Sequence, residues 1–247
     1  MYHFFKLFFI LLKRFPNVLP ERGFFNGLIE LPKDRAHWSI TLLFILLAYL
    51  LSFWVRLEWI DFAQANYVDE SGEVQYLRSD MLRNGVALPN THDSFYFGSI
   101  LQKGHLGMHQ DNHLIPSVLK NGMITYLPYL LLKFFPSLDI EYLLLWIPVY
   151  VAGIVCIPIV LIGRLYGSSL WGLFAACLAG ITHSYYNRTL AGYYDTDMFS
   201  ITVPAFALYF LVSASRRNSF NFAFFAVLCL YLYNFFYSSS QAITASL

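Results

Sequence analysis

Charge is scarce in this chain. Only 13% of its 247 residues are Asp, Glu, Lys or Arg, about half the roughly 25% of an ordinary soluble domain. The balance of 16 basic and 15 acidic residues leaves a formal net charge of +1. No overall field exists to hold a polyanion, so nucleic acid is excluded as a general partner. Cysteine is scarce too. Cys156, Cys177 and Cys229 lie far apart inside apolar runs, which suits small buried hydrophobes better than a disulfide framework or a Cys-rich zinc site. No cleavable leader is visible: the apolar stretch Phe4–Leu12 is interrupted by Lys6 and followed by Lys13, Arg14 and Pro16, without a small-residue cleavage site. An uncleaved in-plane helix is expected there. Internal repeats, low-complexity tracts and an obvious soluble domain are also missing.

What remains is apolar and aromatic. Hydrophobic residues make up 57% of the chain, including 24 Phe, 18 Tyr and 5 Trp, the composition of lipid-facing helices with aromatic belts. About 20 mostly apolar residues are needed to cross hydrocarbon as a helix, and five segments are predicted to do so. They are Trp38–Val55, Tyr142–Gly163, about 168–186, about 198–215 and about 220–237. The run Asn121–Leu132 contains Pro128 and is too short to span, so an interfacial helix is expected. Pro148 and Pro158 fall inside the second span, where a packed bundle tolerates the lost donors.

Lys and Arg in the short connections set the orientation. Lys6, Lys13, Arg14, Arg22, Lys33 and Arg35 precede the first span, Arg164 follows the second, and Arg216 and Arg217 follow the fourth. All three groups are expected inside. The outer side then receives a large first loop, about 56–139, and a short one, about 187–197. Of the 15 acids only Glu21, Glu30 and Asp34 fall with the amino-terminal segment. The chain thus divides into a cytoplasmic segment, 1–37, and a transmembrane part, 38–247, whose two outer loops hold the candidate chemistry. The apolar stretch Ala242–Leu247 resembles the start of a sixth span, as though the chain were the front of a longer polytopic protein.

The strongest local pattern is Asn187-Arg188-Thr189-Leu190-Ala191-Gly192-Tyr193-Tyr194-Asp195-Thr196-Asp197-Met198. Two carboxylates two residues apart at the outer mouth of the fourth span can aim at one cation, and such oxygen donors suit Mg²⁺ or Mn²⁺. Helix capping by either Asp is the plainer alternative. Arg188 is placed either to neutralise a carboxylate or hold a phosphate, or to snorkel at the interface. Asn187-Arg188-Thr189 also fits the N-glycosylation acceptor pattern, although its closeness to the membrane argues against modification. In the large loop, Thr91-His92-Asp93-Ser94-Phe95-Tyr96-Phe97 sets one carboxylate before an aromatic run. Asp93 alone reads as a turn residue. His109 and His113 are four apart but lack an obvious third zinc ligand, and Asp69, Glu70 and Glu73 read as a solvated face.

The stretch Ser184-Tyr185-Tyr186-Asn187-Arg188-Thr189 followed by Gly192-Tyr193-Tyr194-Asp195-Thr196-Asp197-Met198 resembles the second acidic motif of oligosaccharyltransferase catalytic subunits, specifically the bacterial PglB type. The stretch around Asp93 is similar to their first acidic motif, although Ser94-Phe95 stands where that family usually has Gly-Tyr; His109-Gln110 also fits the family's loop. The resemblance runs from about Trp38 to Leu247 and implies the amino-terminal part of an all-α polytopic membrane protein of the GT-C glycosyltransferase architecture. It implies transfer of an oligosaccharide from polyprenyl diphosphate to the Asn amide of an Asn-x-Ser/Thr sequon in an acceptor protein. It further implies a divalent ion, Mg²⁺ or Mn²⁺, on Asp93, Asp195 and Asp197, with Arg188 orienting the acidic pair or contacting phosphate. A catalytic set of Asp93, Arg188, Asp195 and Asp197 follows, and a multi-pass location in the inner membrane with these loops on the periplasmic side. The family's later spans, its second large loop with a further metal-site Glu, and its soluble domain with the Trp-Trp-Asp motif have no counterpart in this sequence. Two alternatives stand beside this expectation: another polyprenyl-phosphate-dependent glycosyltransferase, and a non-catalytic truncated remnant or assembly partner.

Overall fold

The computed structural model describes residues 36–83, 85–237 and 240. The in-plane helix expected near the amino terminus, nearly all of segment 1–37, and the stretch that resembles a sixth span lie outside the described residues.

Helix α1, Trp38–Val55, has the expected bounds and shows what its solvent is. It buries Thr41, Ala48 and Ser52, while Leu42, Leu43, Leu46, Leu47, Leu50 and Leu51 are exposed. Small and polar side chains face the protein and leucines face outward, the reverse of a helix in water and the arrangement that lipid favours. With the short α2, Glu58–Ala63, it forms one apolar stretch of 26 residues.

The large outer loop is folded. Two small antiparallel hairpins, absent from the expectation, follow α2: β1, Asn66–Val68, pairs with β2, Val74–Tyr76, and β3, Leu82–Arg83, pairs with β4, Val86–Ala87. The first turn is held by Asp69, whose Oδ1 accepts the Ser71 and Glu73 N–H groups, a local bond that a short polar side chain forms without tertiary help. The loop continues as α3, His92–His105, and α4, Met123–Phe134. Helix α4 stands where a short apolar helix, too short to span, is expected. It has 12 residues, and buries Ile124, Thr125, Pro128 and Leu132 while leaving Leu127 and Leu131 exposed. The core of this region joins Phe97, Ile100, Leu101, Ile124, Leu132 and Leu144 with Tyr194 of the second acidic segment and Met198 directly after it.

The second span is α5, Ile140–Ala152, a 3-10 turn at Gly153–Val155, and α6, Cys156–Leu165, together 26 residues. Helix α7, Ser169–Ile181, packs on α6 by close backbone approach: a Cβ on Gly163 would lie 2.4 Å from Gly172 Cα. Small residues make such contacts available where apolar burial gives little driving force. Here the structure departs from the predicted length. The third span is 13 residues long because Thr182 adopts ψ 123 and breaks the helix, which restarts as α8, His183–Asn187.

The fourth span is α9, Asp197–Ser200, then α10, Thr202–Arg217, interrupted at Ile201. Pro204 accounts for the interruption, since it has no N–H to offer the Ser200 carbonyl. The Tyr233 hydroxyl donates to that carbonyl instead, at 3.0 Å. Tyr233 belongs to α11, Phe220–Phe236, which packs along α10. Five apolar helices therefore stand at the five expected positions. Three of them, Trp38–Ala63, Ile140–Leu165 and Asp197–Arg217, have the length and composition to cross a membrane, while α7 and α11 are shorter. The chain is an all-α polytopic membrane protein with two small hairpins in its first loop.

The two ends of the bundle differ. At one, Arg164 donates to the Ala36 carbonyl at 2.9 Å and stacks 4.2 Å above the Trp38 ring, with Arg216 over Tyr166 nearby. At the other lie Arg56 and both acidic segments.

Candidate functional site

Asp93 owes its position to a helix start. Thr91 caps α3 by accepting the Ser94 N–H at 3.1 Å, which places Asp93 in the first turn, exposed and favourably oriented in the helix dipole.

The loop 188–196 has no such local support and is tied down from several sides. Ala191 N–H donates to the Arg56 carbonyl at 3.0 Å and Gly192 N–H to the Leu145 carbonyl at 2.9 Å. Asn90 N–H donates to the Gly192 carbonyl at 3.1 Å. The buried Tyr194 hydroxyl donates to the Ile124 carbonyl, and its ring meets Phe97 edge-on at 5.8 Å. Gly192 is required at its position: φ is +80, and a Cβ would meet Pro89 Cα at 3.2 Å.

Arg56 anchors the membrane side of this loop. It is fully buried. Its Nε donates to Thr189 Oγ1 at 3.0 Å, and Nη1 donates to the Ser52 carbonyl, Ser52 Oγ and the Gly180 carbonyl at 2.8, 2.6 and 2.9 Å. The guanidinium also lies 5.3 Å from the Tyr185 ring centroid. The third residue of the glycosylation-like triplet is therefore an internal acceptor: Thr189 is 0% exposed and passes its own proton to the Tyr185 carbonyl at 2.6 Å.

The charged groups converge at the mouth of the fourth span. Arg188 Nη1 donates to Asp197 Oδ2 at 2.8 Å, and this bond holds the guanidinium above its ordinary pKa. Asp197 is buried and Arg188 is largely exposed. Asp195 Oδ1 accepts from Thr196 N at 2.5 Å and Thr196 Oγ1 at 3.1 Å. Burial pushes the Asp195 carboxyl above the usual range, the Thr196 amide opposes this, and the carboxylates of Asp197 and Asp93 push it further up. The neighbouring Tyr193 phenol is raised by burial, lowered by Arg188 and raised by Asp195, Asp197 and Asp93. All four expected site residues thus lie within electrostatic reach of Tyr193. Among the described residues, no three His, Cys, Asp or Glu side chains stand close enough to hold an ion. Asp93 and Asp195 share a field but are not gathered into one coordination sphere. Beside Asp93 opens a cavity of about 560 Å³ lined by Trp59, Asp80, Met81, Asn90, His92 and Phe95.

The family model described as "Oligosaccharyl transferase STT3, N-terminal" matches residues 119–244, which include the whole second acidic segment. The chain belongs to this STT3 family. It is also 31% identical over 203 residues to the "Undecaprenyl-diphosphooligosaccharide--protein glycotransferase" of Campylobacter jejuni serotype O:2, and 32% identical over 203 residues to the protein of the same name from a second Campylobacter jejuni strain. In both cases the match covers 82% of this chain and 26% of the relative, so the chain spans about a quarter of their length. The chain also contains residues whose positioning roles the motifs alone do not reveal: Ser94, Asn90, Arg56 and Thr189. Arg56 had a signal in the sequence, being a basic residue that directly follows the apolar run Trp38–Val55. Ser94 had one as well, in its departure from the family's usual Gly.

Proposed function

We propose that this chain is the amino-terminal part of a membrane oligosaccharyltransferase, which transfers glycan from a polyprenyl diphosphate to the Asn side chain of an Asn-x-Ser/Thr sequon in a protein acceptor. The observation that carries the reading is that hydrogen bonds from Asn90 and Ser94 tie the segment bearing Asp93 to the segment bearing Arg188, Asp195 and Asp197, at one end of a bundle of apolar helices. A lipid donor can reach such a place along the bilayer and a protein acceptor can reach it from water. In the inner membrane of a bacterial cell that face is the periplasmic one.

In the reaction the bond between the sugar C1 and the diphosphate oxygen breaks, a C1–nitrogen bond forms, and the amide nitrogen gives up a proton. The amide is a poor nucleophile because its lone pair is delocalised. Asp93 is exposed at a helix start and available to accept an amide N–H, favouring a more reactive geometry. Asp93, Asp195 and Asp197 offer only hard oxygen donors, the kind that Mg²⁺ or Mn²⁺ takes. A divalent ion there would draw on these carboxylates, with further ligands from beyond them, and would supply charge stabilisation for the departing diphosphate. Arg188 is held protonated by Asp197 and keeps that carboxylate oriented; its exposure leaves it open to a phosphate oxygen. Asp195→Asn in the intact membrane protein is expected to abolish metal-dependent glycan transfer to a sequon peptide while leaving membrane insertion unchanged. Normal transfer by that variant refutes the assignment.

A further inference from the structure

Among the contacts that join the two acidic segments, one is a buried hydroxyl adjacent to both carboxylate-bearing residues. Ser94 is 0% exposed. Its Oγ donates to the Gly192 carbonyl at 2.8 Å and accepts the Tyr194 N–H at 2.8 Å, and it lies 2.7 Å from Thr91 Oγ1. A serine hydroxyl has one donor and two acceptor sites, so with Thr91 donating to it every site is occupied. Ser94 directly follows Asp93, and Tyr194 directly precedes Asp195. The contact between Ser94 Oγ and Tyr194 N therefore joins the backbones that carry the two carboxylates, each one residue from the joint.

We propose that Ser94 is a positioning residue that fixes Asp93 relative to Asp195, and so sets the spacing at which the two carboxylates meet a divalent cation. The inference rests on the transferase reading above. The loop 188–196 does not need Ser94 in order to fold, because Arg56, Leu145 and Ile124 hold it independently. Helix α3 does not need the bond to Tyr194 either, since Thr91 caps it through the Ser94 backbone. What the hydroxyl contributes is a link between them at Tyr194 itself. Asn90 adds to it through its N–H on the Gly192 carbonyl and its Nδ2 on the Ala191 carbonyl at 3.3 Å, but both bonds end before Tyr194. With the hydroxyl removed, the Tyr194 amide loses its acceptor in a place water does not reach, and the main chain next to Asp195 loses the restraint that ties it to the start of α3.

The test uses the intact membrane-embedded protein with its native cysteines replaced. Spin labels at Tyr96→Cys on α3 and Ile201→Cys beyond Asp197, both exposed, report the separation of the segments by dipolar electron paramagnetic resonance. Ser94→Ala is expected to widen the distance distribution at least twofold. Thr125→Val removes a buried hydroxyl that serves only the Val118 and Gly122 carbonyls and is expected to leave the width unchanged. Titration with Mn²⁺ alone, read by its own resonance, is expected to show at least tenfold weaker binding in Ser94→Ala and unchanged binding in Thr125→Val. An unchanged width overturns the proposal, and so does a widened distribution with unchanged Mn²⁺ affinity. A starting protein that binds no Mn²⁺ sinks the metal-dependent reading of the site, and the spin-label widths still decide whether Ser94 sets the spacing. If Ser94→Ala does not accumulate, Ser94→Cys, with a similar shape and a weaker acceptor, carries the Mn²⁺ titration with the same expected direction.

Discussion

Asp93 and Asp195 reach one neighbourhood by opposite means. Asp93 rides on a capped helix of 14 residues whose start is written locally, in Thr91 and the bonds it makes. Asp195 sits in a loop with no regular structure, aimed by side chains and carbonyls from α1, α4, α5 and the Asn90–Ser94 turn. The first carboxylate is exposed and the second half-buried, and burial raises the pKa of the second. A position built by a helix tolerates distant changes. One built by tertiary contacts does not, and two substitutions separate the two cases, with the first hairpin as a reference outside both.

The largest effect is expected for Arg56→Met. It removes four hydrogen bonds from a fully buried guanidinium, among them those to Thr189 and the Gly180 carbonyl. Hydrogen bonds to charged groups contribute about 1.5–3 kcal/mol each, offset here by the relief of a buried charge, so a net loss of about 3 kcal/mol is expected. Amide exchange should rise across 188–194 and stay unchanged in α3. Equal loosening of both segments would dissolve the distinction between them. Thr91→Ala is the converse. Loss of this N-cap costs about 1 kcal/mol, and exchange is expected to rise in the first turn of α3 while the Arg56–Thr189 region keeps its protection.

The smallest effect belongs to the first hairpin, which contacts neither carboxylate. The Ser71 hydroxyl, followed by the Glu73 amide, holds the Asp69 carboxyl below its ordinary 3.8. A depressed folded pKa favours the ionised form, so its contribution is complete above pH of about 4 and is lost as pH falls through the lower folded value. Acidification is therefore expected to speed exchange at Gly72 and Glu73 only below pH of about 4. Loosening of that turn between pH 5 and 7 would remove Asp69 as its cause.

Much of this organisation is legible in the sequence. The bounds of Trp38–Val55, the short interfacial helix near Pro128 and the assignment of both acidic segments to one face follow from hydropathy and the placement of Lys and Arg. These are local or additive quantities. The break at Thr182 and the interruption at Ile201 were less legible, since the helix-forming tendency of the flanking residues hides them. Pro204 carried the signal for the second, and its compensation by Tyr233 comes from a residue 33 positions away from the carbonyl it satisfies.

The motif residues divide in the same way. Sequence by itself determined that Asp93, Arg188, Asp195 and Asp197 are the groups to examine, because acidic residues are costly near hydrocarbon and stand out against so apolar a chain. Tertiary structure alone decided that Arg188 pairs with Asp197, that Thr189 serves Arg56, and that Ser94 links the two acidic segments. The physical reason is range. Hydrophobicity and net charge act through composition along the chain, whereas a buried hydroxyl or guanidinium acts only on partners within about 3 Å, and for Ser94 and Tyr194 those partners are 100 residues apart.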